Sequence, residues 1–106
     1  MPKSFALPKR ILIKKAAEIR AVLENGTKRT GKTVNIFVLP SEERKFAVLV
    51  PRRLGKAVRR NRMKRLVREI YRQHPEWFEK KTVVFFIKRF NDHYARLEKE
   101  IERMVT

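Results

Sequence analysis

The chain has 106 residues, enough for one domain around one modest hydrophobic core, and 42% of them are hydrophobic. Lys and Arg number 28 against 11 Asp and Glu, a formal net charge of +17, so the folded domain repels itself unless a polyanion neutralises it, and nucleic acid is the first partner to consider. Without cysteine there is no disulfide scaffold, thiol nucleophile or cysteine zinc site, and no apolar run approaches the length of a membrane span.

Residues 1–12 read as an extended basic N-terminal segment of a single domain spanning 1–106, with Phe5 and Leu7 as candidate core contacts. Met1 to Arg10 lacks the apolar stretch and small-residue cleavage site of a secretory signal. Residues 14–24 carry Ala16, Ile19, Val22 and Leu23 at helical spacing, and Asn25-Gly26 stops that helix. Residues 27–33 read as a basic turn. Val34 to Leu39 is a strand with Val34, Ile36 and Val38 on one side and Asn35, Phe37 and Leu39 on the other. After Pro40-Ser41-Glu42-Glu43, Lys45 to Val50 reads as its antiparallel hairpin partner, ended by Pro51.

A basic loop, 52–56, leads into a long helix from about Ala57 to His74, stopped by Pro75. His74 is expected to cap carbonyls at the helix end, and Trp77 and Phe78 to close the core over a connector. Thr82 to Arg89 is the most apolar strand, as expected of one covered on both faces. Asn91 or Asp92 caps a last helix, about 93–105, whose buried stripe is Tyr94, Leu97, Ile101 and Met104. The order is α-β-β-α-β-α.

The informative stretch is 52–68, where nine of seventeen residues are basic: Arg52, Arg53, Lys56, Arg59, Arg60, Arg62, Lys64, Arg65 and Arg68. No acid occurs between Arg44 and Arg68. At about 100° per residue, Met63, Leu66, Val67, Ile70 and Tyr71 share a core-facing arc, while Arg60, Asn61, Lys64, Arg65, Arg68 and Arg72 share a solvent arc. Like charges at i,i+4 (Arg60/Lys64/Arg68/Arg72) each cost a few tenths of a kcal/mol. A surface that tolerates this is best explained by a bound polyanion, and the predominance of Arg suits two-point phosphate contacts.

The acids offer no catalytic cluster. Glu42 and Glu43 read as a solvated turn, and Glu98, Glu100 and Glu102 as an exposed helix face. His74 and His93 have no ligand spacing, and Gly26, Gly31 and Gly55 form no phosphate-cradling loop. No catalytic residue and no metal ligand is assigned to the protein.

From Leu54 to Glu69 the sequence resembles the Arg-rich signature of the bacterial ribonuclease P protein subunit, Gly-x-Ala-x-x-Arg-Asn-x-x-Lys-Arg-x-x-Arg. Gly55, Ala57, Arg60, Asn61, Lys64, Arg65 and Arg68 fill every specified position. The resemblance runs from about residue 12 to 104. It implies an α+β fold, a small single-domain α/β sandwich like the second domain of a ribosomal protein, with a left-handed β-α-β crossover that general topology rules disfavour. It also implies a non-catalytic subunit of a cytoplasmic endoribonuclease. In that assembly a catalytic RNA, with its bound Mg2+, removes the 5′ leader of precursor transfer RNA. On this resemblance the protein would bind no cofactor of its own, no membrane and no obligate protein partner.

Carried across by position, Arg52, Arg53, Lys56, Arg59, Arg60, Asn61, Arg62, Lys64, Arg65 and Arg68 would contact the catalytic RNA. Ile19, Leu23 and Phe37 would line the cleft for the precursor's 5′ leader. The family's aromatic helix positions are aliphatic here, Ile19 and Leu23, and Pro51 stands where Ser is usual. The alternatives are a ribosomal or general structured-RNA scaffold without a catalytic partner, or a DNA-binding module, for which the helix has few base-reading side chains.

Overall fold

The computed structural model describes residues 11–106. The expectations for Phe5 and Leu7 lie outside the described residues. Three α-helices, α1 (Ala16–Asn25), α2 (Ala57–Gln73) and α3 (Tyr94–Val105), accompany four strands, β1 (Thr27–Thr30), β2 (Val34–Pro40), β3 (Lys45–Leu49) and β4 (Lys81–Ile87). The strands form one mixed sheet in the order β1-β2-β4-β3.

This order corrects two expectations. First, β2 and β3 are not a paired hairpin. β4 lies between them, antiparallel to β2 (Val34 opposite Ile87) and parallel to β3 (Lys45 opposite Thr82). The reason lies in the composition of β4. Val83, Val84, Phe85 and Ile87 are all buried, so both faces need cover, and the centre of the sheet supplies it. β3, α2 and β4 thus form the β-α-β unit. Second, residues 27–30 are a strand rather than a turn. β1 pairs antiparallel with β2 and is exposed along its whole length. Its sequence, Thr-Lys-Arg-Thr, has charge and no apolar residue, which suits a sheet edge that must not template further pairing.

Two apolar layers fix the helices. On one face, Val34, Ile36, Phe46, Val83, Phe85 and Ile87 pack against Met63, Val67, Ile70 and Tyr71 of α2 and Leu97, Ile101 and Met104 of α3. The stripes read from the sequence are therefore the ones that are buried, with Leu66 and Tyr94 partly so. On the other face, Val22 of α1 joins Ile13, Ala47 and Val84 in a smaller cluster. Ile13 N–H donates to Phe46 O at 3.0 Å, and Leu12 bridges to Phe46, so the chain entering α1 runs along the free side of β3.

Several polar side chains act differently from expectation. His74 does not cap carbonyls with its ring. The imidazole stacks on Trp77, with centroids 3.7 Å apart, and its Nε2 lies 2.6 Å from Glu98 Oε2. Glu98 therefore ties the end of α2 to α3. Glu100 is also not a solvated charge, because its Oε2 accepts Thr33 N–H at 2.7 Å and Val34 N–H at 3.0 Å, pinning α3 to the start of β2. A side chain at Gly31 would collide with that carboxylate, so glycine is required there. Asn91 stands before α3 and accepts His93 N–H at 3.1 Å, while Asp92 pairs with Arg62. Phe78 is buried and Trp77 packs against the same core, as read from the sequence.

Candidate nucleic-acid interface

The basic loop before α2 is a short 3₁₀ turn, Arg52–Leu54, followed by Gly55 at φ 124° and ψ −165°. That region of backbone space is essentially restricted to glycine. Two arginines of α2 fold back onto this turn. Arg59 Nε donates to Leu54 O at 3.3 Å, and its guanidinium lies 4.0 Å from the centroid of Phe90. Arg60 Nε donates to Gly55 O at 3.2 Å. The turn and the start of the helix are thus fixed to one another by groups that still expose cationic edges.

The first turn of α2 inverts the usual charge preference. Helix N-termini favour acids, because unpaired N–H groups and the macrodipole create positive potential there. Here the cap residue is Lys56, no side chain caps the helix, the first turn holds no acid, and Arg59 and Arg60 follow. Each of these choices raises the local positive potential. A phosphate placed at this end would satisfy free amides and neutralise cations together.

All ten predicted contact residues lie on the surface. Arg52, Arg53, Lys56, Arg59, Asn61, Arg62, Arg65 and Arg68 are exposed, and Arg60 and Lys64 are half-buried. Arg62 is neutralised in part by Asp92, with Nη1 3.0 Å from Oδ2. The stripe ends at Glu69, which accepts two bonds from Arg72 and one from Gln73. The Arg72 guanidinium, followed by the Gln73 amide, holds the Glu69 carboxyl below its ordinary range. Among the described residues, Arg52, Arg53, Lys56, Lys64, Arg65 and Arg68 form no ion pair. Val58, 76% exposed, adds an apolar contact at the same end of the helix.

The three predicted cleft residues meet on the opposite face of the sheet. Ile19, Leu23 and Phe37, with Leu39 and Leu49, pack half-buried around Ile13, Val22, Ala47 and Val84. Lys28 Nζ stands 5.9 Å from the centroid of Phe37. Sequence reasoning missed a second aromatic there. Phe86 is half-buried on the Val84 side of β4, opposite Asn35. Strict alternation within Thr82–Ile87 was the signal, masked by the uniformly apolar run. Asn35 is buried, and its Oδ1 has no partner among the described residues. Among the described residues no three His, Asp or Glu side chains gather as metal ligands.

These features define a class: a small α+β domain whose longest helix displays guanidinium and ammonium groups to solvent, with its one acid withdrawn to the C-terminal end. The family model described as Ribonuclease P matches residues 7–106, and the chain belongs to that family. Relatives include the ribonuclease P protein component of Desulfovibrio desulfuricans, 37% identical over 70% of this chain and 60% of the relative. That of Desulfotalea psychrophila is 34% identical over 80% and 72%. The match thus spans less than two thirds of the first protein's length. The fold is similar to a mutant RNase P protein from Staphylococcus aureus (TM-score 0.80, 19% identity, 91% of this chain and 86% of that one). It is also similar to the RNase P protein from Thermotoga maritima (TM-score 0.79, 17% identity, 88% and 93%).

Proposed function

We propose that this chain is the cytoplasmic protein cofactor of ribonuclease P, holding the catalytic RNA with α2 and its preceding turn, and the 5′ leader of precursor transfer RNA with the α1 side of the sheet. The observation that carries the reading is the N-terminal half of α2: cations, free amides and dipole reinforce one another, no acid stands in that half of the helix, and among the described residues only Arg62 is paired, to Asp92. Arg52, Arg53, Lys56, Arg59, Arg60, Asn61, Arg62, Lys64, Arg65 and Arg68 supply charge-assisted bonds to phosphates, and Asn61 adds a neutral donor and acceptor. These contacts position RNA rather than read its sequence.

On the other face, Phe37 and Phe86 offer aromatic surface to unpaired bases, and Lys28 offers charge to the chain between them. Ile19 and Leu23 widen this face without a π surface. No residue of this chain is assigned to hold Mg2+, which on this reading belongs to the catalytic RNA and activates the attacking water there.

The test is reconstitution with a bacterial ribonuclease P RNA at limiting Mg2+. Stimulated 5′ cleavage of a transfer-RNA precursor is the expected result. Binding without stimulation would instead make the protein a structured-RNA scaffold, and cleavage by the protein alone would overturn the cofactor role.

A further inference from the structure

A second cationic surface lies away from α2, in a groove of about 930 Å³ between α3 and the β1–β2 turn. Three cations come from the strand side, Lys28, Arg29 and Lys32, and three from the helix, Arg96, Lys99 and Arg103. All six are exposed, and among the described residues none forms an ion pair. The one carboxylate in the lining, Glu100, is already committed to the Thr33 and Val34 amides. That clamp also fixes the two walls to each other, so the groove is held by the fold.

The charges of α3 are sorted by side. At about 100° per residue, Glu98 and Glu102 fall on one flank of the buried stripe, and Glu98 reaches His74 at the end of α2. Arg96, Lys99 and Arg103 fall on the other flank, beside β1. A helix stabilised for its own sake would pair these signs at i,i+4. Here Lys99 and Arg103 are like charges at that spacing, and Glu100, four residues after Arg96, turns to the Thr33 and Val34 amides instead.

We propose that this groove binds a second stretch of RNA sugar–phosphate chain, independently of the α2 stripe. The three helix cations span about 10 Å of axis, long enough for more than one phosphate. Besides the cations and Glu100, the lining is Thr30, Gly31, Thr33, Asn91 and the single apolar side chain Met104, with no aromatic anchor of the kind protein interfaces use and no broad apolar face for a lipid surface. The proposal rests on the reading of the partner as RNA. It leaves two sources for the chain: the catalytic RNA, or the precursor's leader continuing past Phe37, since Lys28 borders both surfaces.

The test compares Arg96→Ala/Lys99→Ala/Arg103→Ala with the unaltered protein in two arms. One measures binding to a bacterial ribonuclease P RNA transcript; the other measures binding of precursors with short and long leaders to the reconstituted holoenzyme. The expected result is a fall of about 2 to 3 in the log–log salt slope. A fall in the first arm assigns the chain to the catalytic RNA, and a loss in the second that grows with leader length assigns it to the leader. The variant Arg96→Lys/Arg103→Lys should keep the slope. An unchanged slope in both arms for the alanine variant, or a slope lost equally in the lysine variant, overturns the proposal. Run in parallel, Arg60→Ala/Lys64→Ala/Arg68→Ala separates the two ideas. A change there alone rejects only the groove, and no change in either rejects the RNA reading too.

Discussion

Tyr71 shows how one residue serves the fold beneath the interface. Its ring lies between Phe46, 4.0 Å away, and Phe78, 4.6 Å away, and the Arg44 guanidinium sits 5.2 Å from its centroid. Its hydroxyl is buried, without a partner among the described residues. Burial pushes the phenol up to about 12 from an ordinary 10.0, against a smaller opposing pull from Arg44. The folded protein therefore holds this proton more tightly than the unfolded chain. That contribution is complete below pH 10, declines as pH rises, and is gone above about 12. Tyr71→Phe should flatten stability over this window. At neutral pH it should leave stability unchanged or raise it by about 1 kcal/mol, since an unsatisfied hydroxyl is removed and both stacks remain. Urea titrations at neutral and alkaline pH check both. Gly55 carries the opposite expectation. Gly55→Ala forces a side chain into φ 124° and against Arg59 Cδ at 2.9 Å, so it should cost about 1–3 kcal/mol. Thermal denaturation measures the loss. What the sequence displayed at this scale were residues that act through their neighbours in the chain. Glu100 and the His74–Glu98 contact act through distant partners and nothing local marks them, while the alternation that marks Phe86 is masked by its apolar run.

Among the elements, α2 was readable in full, because its apolar arc and its cationic arc repeat with the same helical period. β1 was not readable, because Thr27–Thr30 contains no apolar residue on which alternation could register. The split of β2 from β3 was also hidden. A short turn between two strands looks like a hairpin, and only the need of β4 for cover on both faces dictates the insertion. On the α1 side of the sheet, the prediction is a difference between substrates. Phe37→Ala should weaken binding of a precursor carrying its leader by about 1–3 kcal/mol per stacked base lost, and mature transfer RNA much less. Phe86→Ala should follow the same pattern. Equal losses on both substrates would make these rings part of the core alone.

At the scale of the whole molecule, a net charge of +17 sets the terms. It favours rapid association with a polyanion and makes affinity fall steeply with salt. The total was visible in the composition and one of its two concentrations was visible in the 52–68 segment. The groove beside α3 could not be seen there, because its cations come from stretches more than sixty residues apart that only the sheet and the Glu100 clamp bring together. The central claim is that the α2 face meets RNA phosphates directly. The decisive measurement is the salt dependence of binding to a bacterial ribonuclease P RNA for the unaltered protein and for Arg60→Ala/Lys64→Ala/Arg68→Ala. Three lost phosphate contacts should lower the log–log slope by about 2 to 3. An identical slope for the two proteins would contradict the account.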